Sequence, residues 1–232
     1  MTIAPMSPLS GAVCVIPALN ADRTVGTVIA SVRALLPGVV VIGVDDGSTD
    51  GTRALLRRVC DHVIEFDENK GKGAALRSAF AYASSHWSLR PILTIDADGQ
   101  HDTSFAAELL GALAHADIVI GTRQITGLSV PTHRRLANRI SSAATRAITR
   151  CAITDSQSGY RAMRAGVAAA VDAQGDRYEY ETDFLVRASH NGYRIAEVAV
   201  PTIYGPPSHF RELTDALRVA RVLWSHRAAA FR

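Results

Sequence analysis

Short aliphatic and β-branched runs alternate with amphipathic helical stretches through the first half of this chain, and that alternation restricts the fold more than any other feature. Residues 12–16, 39–44, 62–66, 91–95 and 118–120 read as strands. Between them, residues 24–36, 52–59, 73–85 and about 104–114 carry helical patterning, with Thr49 or Asp50 placed to cap the second helix. Parallel strands need crossover connections, so the pattern predicts an α/β fold: a mostly parallel central sheet with helices on both faces.

In open sheets of this kind, ligands bind beyond the carboxyl ends of the strands. Four consecutive strands here deliver polar segments to that edge: Pro17-Ala18-Leu19-Asn20, Asp45-Asp46-Gly47-Ser48, Asp67-Glu68-Asn69-Lys70-Gly71-Lys72-Gly73 and Asp96-Ala97-Asp98-Gly99-Gln100-His101. One such loop is ordinary turn chemistry, whereas four in register point to a site. Asp96 and Asp98 stand two residues apart at a strand end. Carboxylates that close repel, and a hard cation relieves the repulsion. Mg²⁺ or Mn²⁺ bound through one or two carboxylates, with water and diphosphate oxygens completing the shell, fits this oxygen-rich set. A calcium loop of the EF-hand type is excluded, because counting from Asp96 the sixth position is His101 and the twelfth Ala107.

Asp45 or Asp46 can accept a hydrogen bond from a base N–H or a ribose hydroxyl, as the acidic residue of a dinucleotide site does. Lys70-Gly71-Lys72-Gly73 opens a helix, where free backbone N–H groups and two ammonium groups suit a phosphate. It is neither a Walker loop, which needs Lys-Ser or Lys-Thr, nor a dinucleotide fingerprint, which needs glycine at Leu76. The first strand runs into Pro17-Ala18 rather than a glycine loop, so nicotinamide binding is disfavoured.

The second half is less regular. Residues 132–149 read as a helix, on which Arg134 and Arg135, with Arg123 upstream, form a clamp suited to an anionic acceptor. Residues 181–189 read as a helix, 194–200 as a strand, and 213–224 as a last helix with Leu213, Leu217, Ala220 and Leu223 along one side. With 47% hydrophobic and 20% charged residues the chain suits one domain with a sizeable core. A net charge of +3 is compatible with anionic ligands and gives no case for a nucleic-acid partner. Cys14, Cys60 and Cys151 are too few and scattered for a disulfide framework or a zinc site, which favours a reducing compartment. No signal peptide or membrane-spanning stretch is evident, so the expectation is a cytoplasmic protein, soluble or peripheral at the cytoplasmic membrane face.

Ile16-Pro17-Ala18-Leu19-Asn20, Val44-Asp45-Asp46-Gly47-Ser48, Asn69-Lys70-Gly71-Lys72-Gly73, Asp96-Ala97-Asp98-Gly99-Gln100 and Gly121-Thr122-Arg123, taken in order, resemble the family 2 glycosyltransferases. Asp155-Ser156-Gln157-Ser158-Gly159-Tyr160-Arg161, Glu181-Thr182-Asp183-Phe184 and Val200-Pro201-Thr202-Ile203-Tyr204-Gly205 extend the match toward the dolichyl- and polyprenyl-phosphate sugar synthases. The resemblance implies a single-domain nucleotide-diphospho-sugar transferase fold of the GT-A type over residues 12–210, with a donor half at about 12–121 and an acceptor half at about 122–210. A flexible N-terminus at 1–11 and a C-terminal amphipathic helix at 211–232 would flank it.

By the same resemblance Pro17, Ala18, Val44 and Asp46 hold the base and ribose, and Asp96 touches the donor. Asn20, Asp45, Lys72 and Ala97 complete the donor side. Asp98 and Gln100 bind the metal and diphosphate; Arg123 and Arg134 meet an acceptor phosphate, with Arg135 and His209 beside them. The chain departs from the family at Ala21, where glutamate is common, and at Pro206-Pro207-Ser208-His209, where the synthases carry a basic residue. The implied reaction is a single displacement from a nucleotide-sugar donor with inversion. A polyprenyl-phosphate acceptor is already anionic and needs no base, whereas a soluble hydroxyl acceptor, the alternative, requires one, for which Glu181 or Asp183 is the candidate.

Overall fold

The protein's structure, a computed structural model, describes residues 11–124, 132–201, 203 and 212–226; for residues 124, 132–140 and 212–217 it describes the backbone alone. The chain runs β1 (Val13–Ala18), α1 (Val25–Leu35), β2 (Val40–Asp45), α2 (Thr52–Val59), β3 (His62–Glu65), α3 (Lys72–His86) and β4 (Ile92–Thr94). A 3₁₀ turn (Thr103–Phe105) leads into α4 (Ala106–Ala112), β5 (Ile118–Gln124) and α5 (Thr132–Thr149). Then come β6 (Arg161–Met163), α6 (Val167–Ala170), α7 (Glu179–His190), β7 (Ile195–Pro201) and α8 (Glu212–His226).

The seven strands form one sheet in the order β3-β2-β1-β4-β6-β5-β7. All pairings are parallel except those of β6, which runs antiparallel between β4 and β5. The sequence pattern gives no strand at β6, because three residues are too few to display an alternation. Its reversed direction matters for the site. The segment entering β6 arrives at the same edge where β1, β2, β4 and β5 end.

β1 shows why the sheet is sandwiched. Cys14 and Ile16 point into a core shared with Val25, Ile29 and Val32 of α1, Leu56 of α2 and Leu109 of α4. Val13 and Val15 point the other way, into a core with Ala75 and Phe80 of α3 and Phe184 of α7. A strand covered on both faces reads as an unbroken apolar run, as this one does. Burial raises the Cys14 thiol well above its ordinary range, and Cys60 is pushed up to about 11, again by burial first. Both behave as small hydrophobes; all three cysteines are free. Gly51, rather than Thr49 or Asp50, is the N-cap of α2, and the Asp50 carboxylate one residue earlier accepts the Thr52 N–H at 2.9 Å. Among the described residues, no helix is long and apolar enough to cross a membrane.

Candidate active site

The charged centre of the molecule is assembled from four separate segments at the carboxyl edge of the sheet. Asp96 and Asp98 follow β4, Lys72 opens α3, Glu181 sits in the first turn of α7, and Gly159 lies just before β6. Lys72 Nζ stands 2.6 Å from Asp96 Oδ1 and 3.1 Å from Glu181 Oε1. His101 Nε2 lies 3.4 Å from the other Asp96 oxygen, its ring 5.3 Å from that of Tyr160. The Thr94 hydroxyl donates to the Gly159 carbonyl at 2.8 Å and holds that glycine over the ion pair. A Cβ at Gly159 would lie 2.3 Å from Asp96 Oδ1 and 2.5 Å from Lys72 Nζ, so only glycine fits there without displacing the pair.

The two aspartates are thereby made different. Burial alone would raise the Asp96 carboxyl, but the Lys72 ammonium and His101 outweigh it and hold Asp96 well below the usual carboxylate range. Burial would likewise depress Lys72, yet Asp96 and Glu181 together drive it above the ordinary lysine range. Asp98 goes the opposite way. Burial, then the neighbouring Asp96 charge, raise its carboxyl, and the Gln100 N–H it accepts at 2.9 Å only partly offsets them. The Gln100 carbonyl in turn accepts the Ile203 N–H at 3.0 Å, tying the segment after β7 to this loop.

Asp96 therefore has both oxygens engaged by protein cations or imidazole, while Asp98 beside Gln100 carries the uncompensated repulsion that a cation relieves. Among the described residues no group of three or more His, Cys, Asp or Glu is arranged to cage a metal. A single carboxylate with an amide neighbour fits Mg²⁺ or Mn²⁺ arriving with a diphosphate, since those ions keep several positions for phosphate oxygens and water.

Among the residues expected to meet a donor, Pro17 and Ala18 end β1 in register with Val44 and Asp45 of β2. Asp46 accepts the N–H groups of Lys70 at 2.8 Å and Gly71 at 3.0 Å; burial nevertheless raises its carboxyl. This corrects the expectation of a phosphate cradle at residues 70–73, because two of its N–H groups are consumed by Asp46. Gly71 makes the turn possible with φ of 98°, where a Cβ would strike the Asp176 carbonyl. Asp45 is fully buried and paired with Arg53 Nε at 2.7 Å. Asn20 accepts the Thr49 N–H at 2.8 Å, and the Ala97 carbonyl accepts the Thr24 hydroxyl at 2.6 Å. Asn20, Asp45 and Ala97 thus brace the loops.

Among the residues expected to meet an acceptor, Arg123 grips Asp155 through two nitrogens at 2.7 and 2.9 Å; burial would lower the guanidinium pKa, but Asp155 with neighbouring charges lifts it. The side chains of Arg134 and Arg135 and all of His209 lie outside the described residues. Asp183 does not join the cluster. One oxygen meets the Gln174 N–H and Arg187 Nε, both at 2.6 Å, and the other His226 Nε2 at 2.7 Å, with the side chain 3% exposed. It fastens α7 to α8.

Sequence reasoning missed three participants. Arg161 is buried and donates to the backbone carbonyls of Ser156, Ser158 and Glu181 at 2.8, 2.8 and 3.0 Å, which fixes the loop carrying Gly159. Gly159 and His101 lie within segments the sequence singles out, but no role is read for them there, because what they touch depends on the antiparallel entry of β6, which the pattern does not reveal.

The sequence model of glycosyl transferase family 2 matches residues 13–172. Polyprenol monophosphomannose synthase of Mycolicibacterium smegmatis is 31% identical over 216 residues, covering 85% of this chain and 79% of that protein. Undecaprenyl-phosphate mannosyltransferase of Micrococcus luteus is 31% identical over 201 residues, covering 80% and 81%. Among solved structures, glucosyl-3-phosphoglycerate synthase from Mycobacterium tuberculosis, in complex with Mn²⁺, uridine diphosphate and glucosyl-3-phosphoglycerate, superposes with a TM-score of 0.76. It is 22% identical, and the match covers 98% of this chain and 87% of that one.

Proposed function

The chain belongs to glycosyl transferase family 2, and from that premise we propose that it moves a sugar from a nucleotide-diphosphate donor to a polyprenyl phosphate, with inversion and with Mg²⁺ or Mn²⁺ as cofactor. It is a glycosyltransferase with a GT-A-type fold. GDP-mannose, UDP-glucose and UDP-GlcNAc are the donor types to be tried. An oxygen of the acceptor phosphate attacks the anomeric carbon as the bond from that carbon to the donor diphosphate breaks. When bound, the divalent ion supplies Lewis-acid stabilisation of the charge on the departing diphosphate. Asp98 and Gln100 would hold it, Asp96 would contact the donor, and Pro17, Ala18, Val44 and Asp46 would border the nucleoside.

The observation that carries the choice of acceptor is the state of the two candidate bases. Asp183 has both oxygens committed to Gln174, Arg187 and His226. Glu181 is 2% exposed and bound to Lys72. Neither faces an incoming hydroxyl, whereas a phosphate monoester needs no base at neutral pH. The discriminating assay offers polyprenyl phosphate and the corresponding free polyprenol with a nucleotide sugar and Mn²⁺. Product from the phosphate alone is expected; transfer only to a hydroxyl compound would move the function to the soluble-acceptor alternative.

Arg123 is the described cation for the acceptor phosphate. Arg123→Lys keeps a charge beside Asp155 but loses the planar fork. It should raise the acceptor KM about tenfold and leave donor Kd unchanged. An unchanged acceptor KM would remove Arg123 from the acceptor site.

Peripheral membrane association fits a lipid acceptor, and α8 supplies the surface. It buries Val219 and hooks His226 onto Asp183, while Arg221 and the 66% exposed Trp224 face outward. Co-sedimentation with anionic vesicles is expected, and to weaken in Trp224→Ala; equal binding by that variant would take the role from α8.

A further inference from the structure

Glu181 is placed where it can act on the donor without touching it. One of its oxygens lies 3.1 Å from Lys72 Nζ, and the same ammonium lies 2.6 Å from Asp96 Oδ1. The other oxygen, buried, has no hydrogen-bond partner among the described residues. The Glu181 backbone is pinned from behind by Arg161, which donates to its carbonyl at 3.0 Å. Lys72 further lies 5.8 Å from the centre of the Tyr178 ring. A single ammonium thus stands between two carboxylates, one buried and fixed, the other facing the site with its side chain 24% exposed.

A lysine on a four-carbon stem, paired with Asp96 alone, would be free to follow that carboxylate and to neutralise it. Held from the opposite side by Glu181, the ammonium is fixed in direction and its charge is shared. We propose that Glu181 is a positioning residue for donor binding, acting through Lys72 to hold Asp96 aimed at the nucleotide sugar. This rests on the reading of Asp96 as a donor contact. It gives the acid an assignment other than general base, a role its burial argues against.

The test is a double-mutant cycle between Glu181 and Asp96, which Lys72 bridges. Calorimetry on the full chain would measure the Kd of GDP or UDP with Mn²⁺, whichever wild type binds, for wild type, Glu181→Gln, Asp96→Asn and the double variant. Circular dichroism would verify folding. Glu181→Gln should weaken binding about tenfold in the wild-type background and have little further effect in Asp96→Asn. Losses that multiply independently would overturn the inference. Glu181→Asp, which keeps the charge but withdraws it from Lys72, should also weaken binding, and a wild-type Kd there would overturn it too. Turnover supplies the readout that separates the roles: donor KM should rise more than kcat falls. A collapse of kcat at unchanged donor Kd would make Glu181 a base instead. A wild type that binds neither nucleotide with metal sinks the functional reading and this inference with it, whereas binding with an additive cycle sinks this inference alone.

Discussion

Asp98→Asn is expected to give a protein that is more stable without ligand and inactive as an enzyme. Burial and the adjacent Asp96 raise the Asp98 carboxyl above its ordinary value. A carboxyl raised by folding contributes stability below its unfolded pKa and loses that contribution as pH rises through its folded pKa. Near neutrality the ionised Asp98 is therefore a cost, which the neutral isostere removes. The Tm of the ligand-free variant should exceed that of wild type at pH 7, and the difference should vanish toward pH 3. Turnover should fall on the order of a thousandfold, the scale of losing one metal or electrostatic stabiliser of the leaving group. Calorimetric scans across pH, with initial rates at pH 7, measure both. A variant that keeps wild-type turnover would remove Asp98 from the metal site, and an unstable ligand-free variant would contradict the electrostatic account.

Lys72→Met carries the second large effect. Removing one partner from a buried ionic cluster typically costs about 3–5 kcal/mol, because the remaining charges stay desolvated and unpaired. Here Asp96 and Glu181 would both lose their shared cation. For a chain of this length the loss corresponds to on the order of 10 °C in Tm. The sign with pH follows from the two shifts. Lys72 is raised, so its contribution is present throughout the neutral range and disappears only above the ordinary lysine range. Asp96 is lowered, so its contribution is present above the unfolded carboxylate value and is lost as pH falls through its depressed pKa. The gap between wild type and variant should be widest near neutrality. It should narrow in acid, where the variant can protonate its stranded carboxyls. Equal Tm values at pH 7 would mean that Lys72 is not the cation holding the cluster together.

These residues also mark how far a sequence carries. Asp96, Asp98, Gln100, Lys72, Asp45 and Asp46 announce themselves because strand ends in a parallel sheet all point to one edge. The division between Asp96 and Asp98 is a property of three dimensions. It arises because the start of α3 brings Lys72 onto Asp96 and the loop after β4 folds His101 back onto it, contacts the sequence pattern does not reveal. β6 itself leaves no trace, being three buried residues inserted antiparallel between β4 and β5. Asp183 illustrates the opposite error of proximity. It stands two positions from Glu181 on one helix, yet i and i+2 face different ways, and it serves α8 instead. The turn at residues 70–71 carried a phosphate-like composition, but its N–H groups found their anion within the chain, in Asp46.

As proposed, the Asp96–Asp98 edge is a metal-dependent nucleotide-sugar site. Thermal unfolding of the purified chain with GDP-mannose, UDP-glucose and UDP-GlcNAc, each with Mn²⁺ or with chelator, tests it most directly. A donor present at a hundred times its Kd adds about 2.7 kcal/mol by mass action, roughly 5–10 °C for a chain of this size. Such a rise is expected for at least one of these donors with Mn²⁺, and its loss with chelator or in Asp98→Asn. No metal-dependent rise with any of the three would contradict it.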